Sequence, residues 1–260
     1  MALGGREMFR AGACGSRSVF CGPPLGEATA RQSDDCFYLS LRAGRLRNAK
    51  TNLEIRNIIL SMNRYFQTPP VVKNLIIINL LVFMATALLP VGAAIYRWCA
   101  LSVGLGEFQA YQMVTYMFLH GDLEHIFFNM FALWMFGRTL EYELGSKRFL
   151  TYYMVCGIGA ALIQAAIAWA MHEPMQVVGA SGAVMGLLLA FGVIHPNAVI
   201  MLLFPPIPMK AKWFVIIYGV IELFLGWRGV GNVAHFAHVG GMLWGLALLW
   251  WWRRRGIIRF

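Results

Sequence analysis

From residue 73 onward the chain falls into six apolar segments separated by short polar breaks, at approximately 74–96, 123–141, 148–171, 181–195, 212–227 and 233–252. A helix needs about 20 apolar residues to cross a hydrocarbon core of about 30 Å, and most of these runs are long enough. The pattern predicts an all-α polytopic membrane protein, a bundle of six transmembrane helices. The fourth run is the exception. It is cut off by Pro196 and preceded by a turn at Gly179–Gly182, which leaves about 14 residues from Ser181, or about 21 Å of helix. A helix that starts inside the membrane exposes N–H groups that only protein or a wet cavity can satisfy. Ser181 is therefore expected about 10 Å below one membrane face, beside water. The connection 97–122 has mixed polarity and carries Trp98, Phe108, Tyr111 and Tyr116, which suits an interfacial loop with short helices.

Residues 1–61 contain no long apolar run and no repeat. They read as a disordered or weakly helical cytoplasmic segment, or as an extension upstream of a natural start at Met62, ahead of a membrane domain at 62–260. Composition supports the membrane class: 59% of residues are hydrophobic and 13% charged, with a mean hydropathy of +0.60. Soluble chains carry roughly a quarter charged residues.

The net charge of +10 raises the question of a nucleic-acid partner, and its distribution answers it. Nine of the 22 Lys and Arg lie in residues 1–61, and most of the rest flank apolar runs. With the N-terminus in the cytoplasm, the cytoplasmic flanks carry Arg64 and Lys73, then Arg138, Lys147 and Arg148, then Lys210 and Lys212, then Arg253, Arg254, Arg255 and Arg259. The opposite side receives only Arg97 and Arg228. This alternation is a topology signal and excludes a continuous basic face for nucleic acid. Both ends are expected in the cytoplasm, in a cell (inner) membrane, with Trp250, Trp251 and Trp252 forming an interfacial belt. Cys14, Cys21, Cys36, Cys99 and Cys156 include no C-x-x-C pair and no zinc-ligand spacing, so no metal is expected.

Polar residues within apolar runs are costly in lipid and are functional candidates. Ser181 opens a helix after a glycine turn, with its own N–H at the positive end of the helix dipole, where an oxyanion could be held. Taken alone, Gly179-Ala180-Ser181-Gly182 also suits a plain helix cap. His235 and His238 share one face of the last segment at i,i+3. His235 lies nearer its outer end, at a depth that can match Ser181, and a histidine is the usual base for a serine hydroxyl. A metal pair is the weaker reading, for want of a third ligand. Gly182-x-x-x-Gly186 and Gly241-x-x-x-Gly245 give the fourth and sixth helices small-residue faces that permit close approach. His125 and Asn129, at i,i+4 on the second helix, can donate to an oxyanion or serve as interhelical polar glue. Glu222 lies within the fifth segment, but no acid is spaced to orient His235, so a Ser181–His235 dyad is expected rather than a triad. The roles of Glu222 and His238 stay open.

Together these residues resemble the rhomboid family of intramembrane serine proteases. The resemblance covers about residues 62–255 and rests on ordered motifs. They are His120-Gly-Asp-Leu-Glu-His125-Ile-Phe-Phe-Asn129, Glu141-Tyr-Glu-Leu-Gly145-Ser-Lys147-Arg-Phe, Gly179-Ala-Ser181-Gly182 and Ala234-His235-Phe-Ala-His238-Val-Gly-Gly241. The loop Pro205-Pro206-Ile-Pro208-Met-Lys210 is similar to that of bacterial members. The resemblance implies the six-helix form and a Ser–His dyad. It also implies an oxyanion site from His125, Asn129 and the Ser181 N–H. No cofactor is implied. The implied partners are single-pass transmembrane substrates and membrane lipid. The alternatives are an inactive rhomboid-like protein that binds transmembrane clients, a small transporter, and a metalloprotease. The transporter lacks broken-helix pairs. The metalloprotease lacks H-E-x-x-H, because His172-Glu173-Pro174 departs from it.

Overall fold

The computed structural model describes Arg56 and residues 67–104, 108–202, 206–228 and 235–259. The expectations for the 1–61 segment, for a start at Met62, for Cys14, Cys21 and Cys36, and for Pro205 and Ala234 lie outside the described residues.

Each of the six apolar segments is helical. The first is α1 (Pro70–Leu88), which begins after Pro69 with a proline at its first position, where a missing N–H costs nothing. Its next two free N–H groups, on Val71 and Val72, donate to the Glu141 carboxylate at 3.0 and 2.8 Å, and Ser146 Oγ lies 2.6 Å from the same group. A carboxylate from another segment thus caps the helix and matches its dipole. A short helix α2 (Gly92–Cys99), a strand β1 (Leu101–Val103) and a short helix α3 (Gln112–Thr115) make up the long connection.

The second segment is α4 (Leu123–Ala132), a π-helical turn (Leu133–Gly137) and α5 (Arg138–Leu144). Asp122 caps α4 by accepting the His125 backbone N–H at 2.7 Å. Then follow α6 (Ser146–Met171), β2 (Met175–Val177), α7 (Ser181–Ile194), β3 (Val199–Met201), β4 (Pro208–Lys210), α8 (Ala211–Arg228) and α9 (His235–Arg254). Strand β1 pairs antiparallel with β2, Leu101 opposite Val177, and so ties the long connection to the segment that leads into Ser181. Strand β3 pairs antiparallel with β4.

The centre of the molecule is α6, α7 and α9. Their approach rests on glycine. A Cβ at Gly241 on α9 would overlap the Gly182 carbonyl of α7, and one at Gly186 would meet the Cys156 side chain of α6. Tyrosines fill the gaps while keeping their hydroxyls bonded: Tyr152 donates to the Gly186 carbonyl at 2.9 Å and Tyr116 to that of Gly157 at 2.7 Å. The small-residue faces read from the sequence do meet, and they fix the register of α7 against α9.

Burial runs opposite to that of a soluble domain. Asn79, Glu141, Gln164, Glu222, His235 and His238 are buried. Leu81, Trp169, Ile216, Val220, Phe224 and Trp250 are exposed. Apolar surface on this scale calls for a lipid or protein covering. Among the described residues, α1 and α6 are long and apolar enough to cross a membrane by length and composition, and α7 is apolar but shorter. Segment two is broken by its π-turn, and α8 carries Lys212, Glu222 and Arg228. At the end of α9, the Arg254 guanidinium lies over the Trp250 ring at 4.0 Å.

Candidate active site

Ser181 is the first residue of α7, so its N–H has no acceptor within the helix. The chain enters the helix through Gly179, whose φ of +125° suits only glycine. A Cβ there would also lie 2.7 Å from His125 Nε2 and 3.6 Å from Ser181 Oγ. Glycine at 179 is thus what lets the His125 ring lie against the turn that leads into Ser181. The Gly179 N–H donates to the Tyr116 carbonyl at 2.9 Å, which anchors the turn to the long connection.

The histidine that meets Ser181 is His238, with Nε2 2.8 Å from Ser181 Oγ. His235 does not reach it. His235 Nδ1 lies 2.7 Å from Glu222 Oε2, and its Cβ packs against α8, 3.1 Å from where a Cβ on Gly226 would stand. This corrects the pairing expected from sequence. The two rings are about 4.5 Å apart along the α9 axis. The contact of Gly241 with Gly182 fixes the register so that the second of two Ala-His dipeptides, Ala237-His238, faces α7.

The structure also corrects the expectation that no acid serves the site. Glu222 Oε2 lies 2.9 Å from His238 Nδ1, in a bent ion-pair contact, while it accepts the straighter hydrogen bond of His235. Tyr218, one turn earlier on α8, is a further hydrogen-bond partner of this carboxylate. Ligand atoms of Glu222, His235 and His238 lie within 4.8 Å of one another, the spacing of a possible metal site. Of the three, His235 and Glu222 hydrogen-bond one another, while His238 Nδ1 makes only the bent contact.

His125 and Asn129 are both brought to the site. The Gly121 N–H donates to His125 Nδ1 at 3.4 Å, so the neutral ring carries its proton on Nε2, the atom beside Gly179. Asn129 Nδ2 donates to the His125 carbonyl at 2.9 Å, which leaves its second N–H for the cavity it lines. That cavity has a volume of about 1180 Å³ and is lined by Ser181, His238, His125 and Asn129 together with Gln176, Met185, Leu188, Phe214 and Tyr218. Its largely apolar wall suits a hydrophobic ligand, with a small number of polar groups to orient it.

Two further residues, to which the sequence assigned no role, stand beside the site. Gln164 on α6 accepts the Ala237 N–H at 2.9 Å, satisfying the first turn of α9 just before His238. A lone amide in the longest apolar helix was its signal. His120 packs edge-on against His125, with ring centroids 5.0 Å apart. It lies in the connection before α4, where burial, and next the His125 ring, push its pKa down to about 4.

The sequence model of the Rhomboid domain matches residues 107–255, which include every residue named at the site. This chain belongs to the rhomboid family. Rhomboids are embedded in membranes, in keeping with the apolar exterior of this bundle. The chain is 31% identical over 144 residues to Rhomboid protein 1, mitochondrial, of Saccharomyces cerevisiae, covering 52% of this chain and 39% of that protein. It is 30% identical over 158 residues to Presenilin-associated rhomboid-like protein A, mitochondrial, of Danio rerio, covering 57% and 40%. Rhomboid protease GluP of Bacillus subtilis is 30% identical over 141 residues, covering 52% and 24%. The chain thus spans well under half the length of these rhomboid relatives.

Proposed function

We propose that this rhomboid is an intramembrane serine endopeptidase that cleaves transmembrane segments of other membrane proteins, with Ser181 as nucleophile and His238 as base. The observation that carries the reading is the 2.8 Å contact between Ser181 Oγ and His238 Nε2 beside a large, mostly apolar cavity. The Ser181 hydroxyl donates to Nε2, the arrangement that activates a serine. Similarity to a protein named a rhomboid protease adds support.

In this reading all six segments span the membrane as one protease domain and the substrate enters from the bilayer. Its helix unwinds locally, because a hydrogen-bonded helix hides its carbonyls. Ser181 Oγ attacks the scissile carbonyl carbon as its proton passes to His238 Nε2. The carbonyl electron pair moves to oxygen, and the Ser181 N–H, His125 Nε2–H and the Asn129 amide receive that oxyanion. His238 returns the proton to the leaving amine, and water then resolves the acyl-enzyme by the same steps.

The side bearing Lys73, Arg138, Lys147, Lys210 and Arg253 to Arg255 faces the cytoplasm of an inner cell membrane, by the charge asymmetry of the loops. Single cysteines introduced as Trp98→Cys and Lys210→Cys should then react with an impermeant maleimide from opposite sides of sealed vesicles.

The test is cleavage of a reporter transmembrane substrate in liposomes, together with labelling by a fluorophosphonate probe. The wild-type chain should cleave and label, and Ser181→Ala and His238→Ala should do neither. A folded wild-type chain that neither labels nor cleaves any transmembrane substrate would instead fit a client-binding rhomboid without catalysis.

A further inference from the structure

Two buried histidines, one per turn of α9, share one carboxylate of α8. This arrangement is not needed for a two-residue site. Glu222 is 5% exposed, and in a bundle this apolar an ionisable group is costly unless something uses or pairs it. It stands behind His238 on the side away from Ser181, because one ring nitrogen of His238 meets the serine at 2.8 Å and the other meets Glu222 Oε2 at 2.9 Å. The three groups therefore form a line from hydroxyl to imidazole to carboxylate.

We propose that Glu222 is a positioning residue that turns the Ser181–His238 pair into a Ser181–His238–Glu222 relay, with His235 and Tyr218 holding the carboxylate in place. The inference rests on the protease reading above. Its chemistry concerns the imidazolium. When Ser181 Oγ bonds to the substrate carbonyl carbon, its proton moves to His238 Nε2, and Nδ1–H then carries part of a positive charge inside a low-dielectric bundle. Glu222 stays ionised and pairs with that charge, and it keeps the proton of the neutral ring on Nδ1 so that Nε2 is free to accept. The bent contact in the resting site straightens as the ring becomes charged, while the straighter hydrogen bond from His235 fixes the carboxylate meanwhile.

The clasp has a structural logic of its own. A carboxylate shared by His238 alone could swing toward the cavity, which Tyr218 and His238 both line. His235, at the start of α9, and Tyr218, on α8, hold it from two directions. Glu222 thus presents a fixed oxygen to His238, held by two groups other than the Ser181–His238 pair.

The experiment measures kcat and KM separately for a reporter transmembrane substrate in liposomes, with thermal unfolding in detergent as a control. Glu222→Gln keeps shape and hydrogen-bonding capacity but removes the charge. It should lower kcat about a hundredfold, with KM and the unfolding midpoint unchanged. Glu222→Gln should also slow fluorophosphonate labelling of Ser181 by a similar factor, because Glu222 acts through the ring that activates the serine. If Glu222→Gln does not fold, Glu222→Asp retains the charge but withdraws it by one methylene, and it should still lower kcat at unchanged KM. Full kcat in a folded Glu222→Gln or Glu222→Asp variant overturns the proposal while leaving the Ser181–His238 pair intact. A fall in kcat with the labelling rate of Ser181 unchanged also overturns it, as does a drop confined to the unfolding midpoint. Activity that survives His238→Ala would instead sink the Ser181–His238 pairing on which the proposal rests.

Discussion

His238 Nε2 stands 2.8 Å from Ser181 Oγ, while His235, on the same face of the same helix, is bonded to Glu222 and held away from the serine. Three residues of sequence separate the proposed base from the histidine that holds Glu222. The two histidines should therefore differ sharply in mutation. His238→Ala removes the proton acceptor and should lower kcat by about a thousandfold or more. His235→Ala leaves that acceptor in place and should cost about tenfold, through a loosened Glu222. Reporter cleavage in liposomes by matched amounts of folded variants decides between them, and the reverse order would move the base back to His235.

The meeting of α7 and α9 sets that geometry, and Gly241 is its tightest point. A Cβ there would overlap the Gly182 carbonyl, one residue beyond the nucleophile. Gly241→Val should therefore push the helices apart. We expect a loss of about 3 kcal/mol in unfolding free energy and loss of fluorophosphonate labelling at Ser181. Gly256, with open space around its Cβ position, provides the contrast. Even there, a φ of +68° makes Gly256→Ala mildly strained, so it should cost about 1 kcal/mol and keep labelling.

Much of this was legible in the sequence because hydrocarbon solvation leaves a strong signature. Apolar runs placed all six helical segments to within a few residues at most ends, and glycine spacing identified the faces of α7 and α9 that touch. Ser181, His125 and Asn129, which line one cavity, could be singled out because a polar side chain in an apolar run needs a reason. The choice between His235 and His238 was not legible. An i,i+3 pair shares a face, and only the register fixed by Gly241 against Gly182 decides which ring arrives. Glu222 was set aside for the same reason: its distance from α9 depends on how α8 packs, which no spacing within one segment encodes. The π-turn at Leu133–Gly137 was also invisible to a reading that treats 123–141 as one regular helix.

The proposed oxyanion donors should separate from the proposed base in their kinetics. The neutral His125 tautomer, set by the Gly121 N–H on Nδ1, aims Nε2–H toward Gly179 and the nucleophile. Asn129 keeps a free amide N–H facing the cavity. His125→Ala and Asn129→Ala should each lower kcat by about 100- to 1,000-fold with little change in KM, because they bind charge that exists only in the transition state. Single-turnover cleavage would show this, and a rise in KM at constant kcat would instead make them substrate-binding residues.

His120 gives the fold a dependence on acidity that can be traced to one group in the connection before α4. Burial, and after it the adjacent His125 ring, lower its pKa to about 4, against the opposing effects of the Phe118 backbone and Asp122. An unfolded chain would protonate the same imidazole near pH 6.5. Between those values the unfolded state holds more protons, so stability is fully present above about pH 6.5 and drains away as the pH falls toward 4. The difference corresponds to about 3 kcal/mol. His120→Gln replaces the titrating ring with a neutral polar group and should flatten the decline in unfolding midpoint over that interval, whatever it does to stability at neutral pH. Thermal unfolding in detergent at half-unit steps from pH 7.5 to 4 measures this directly. Parallel curves for the two proteins would place the acid sensitivity on another group.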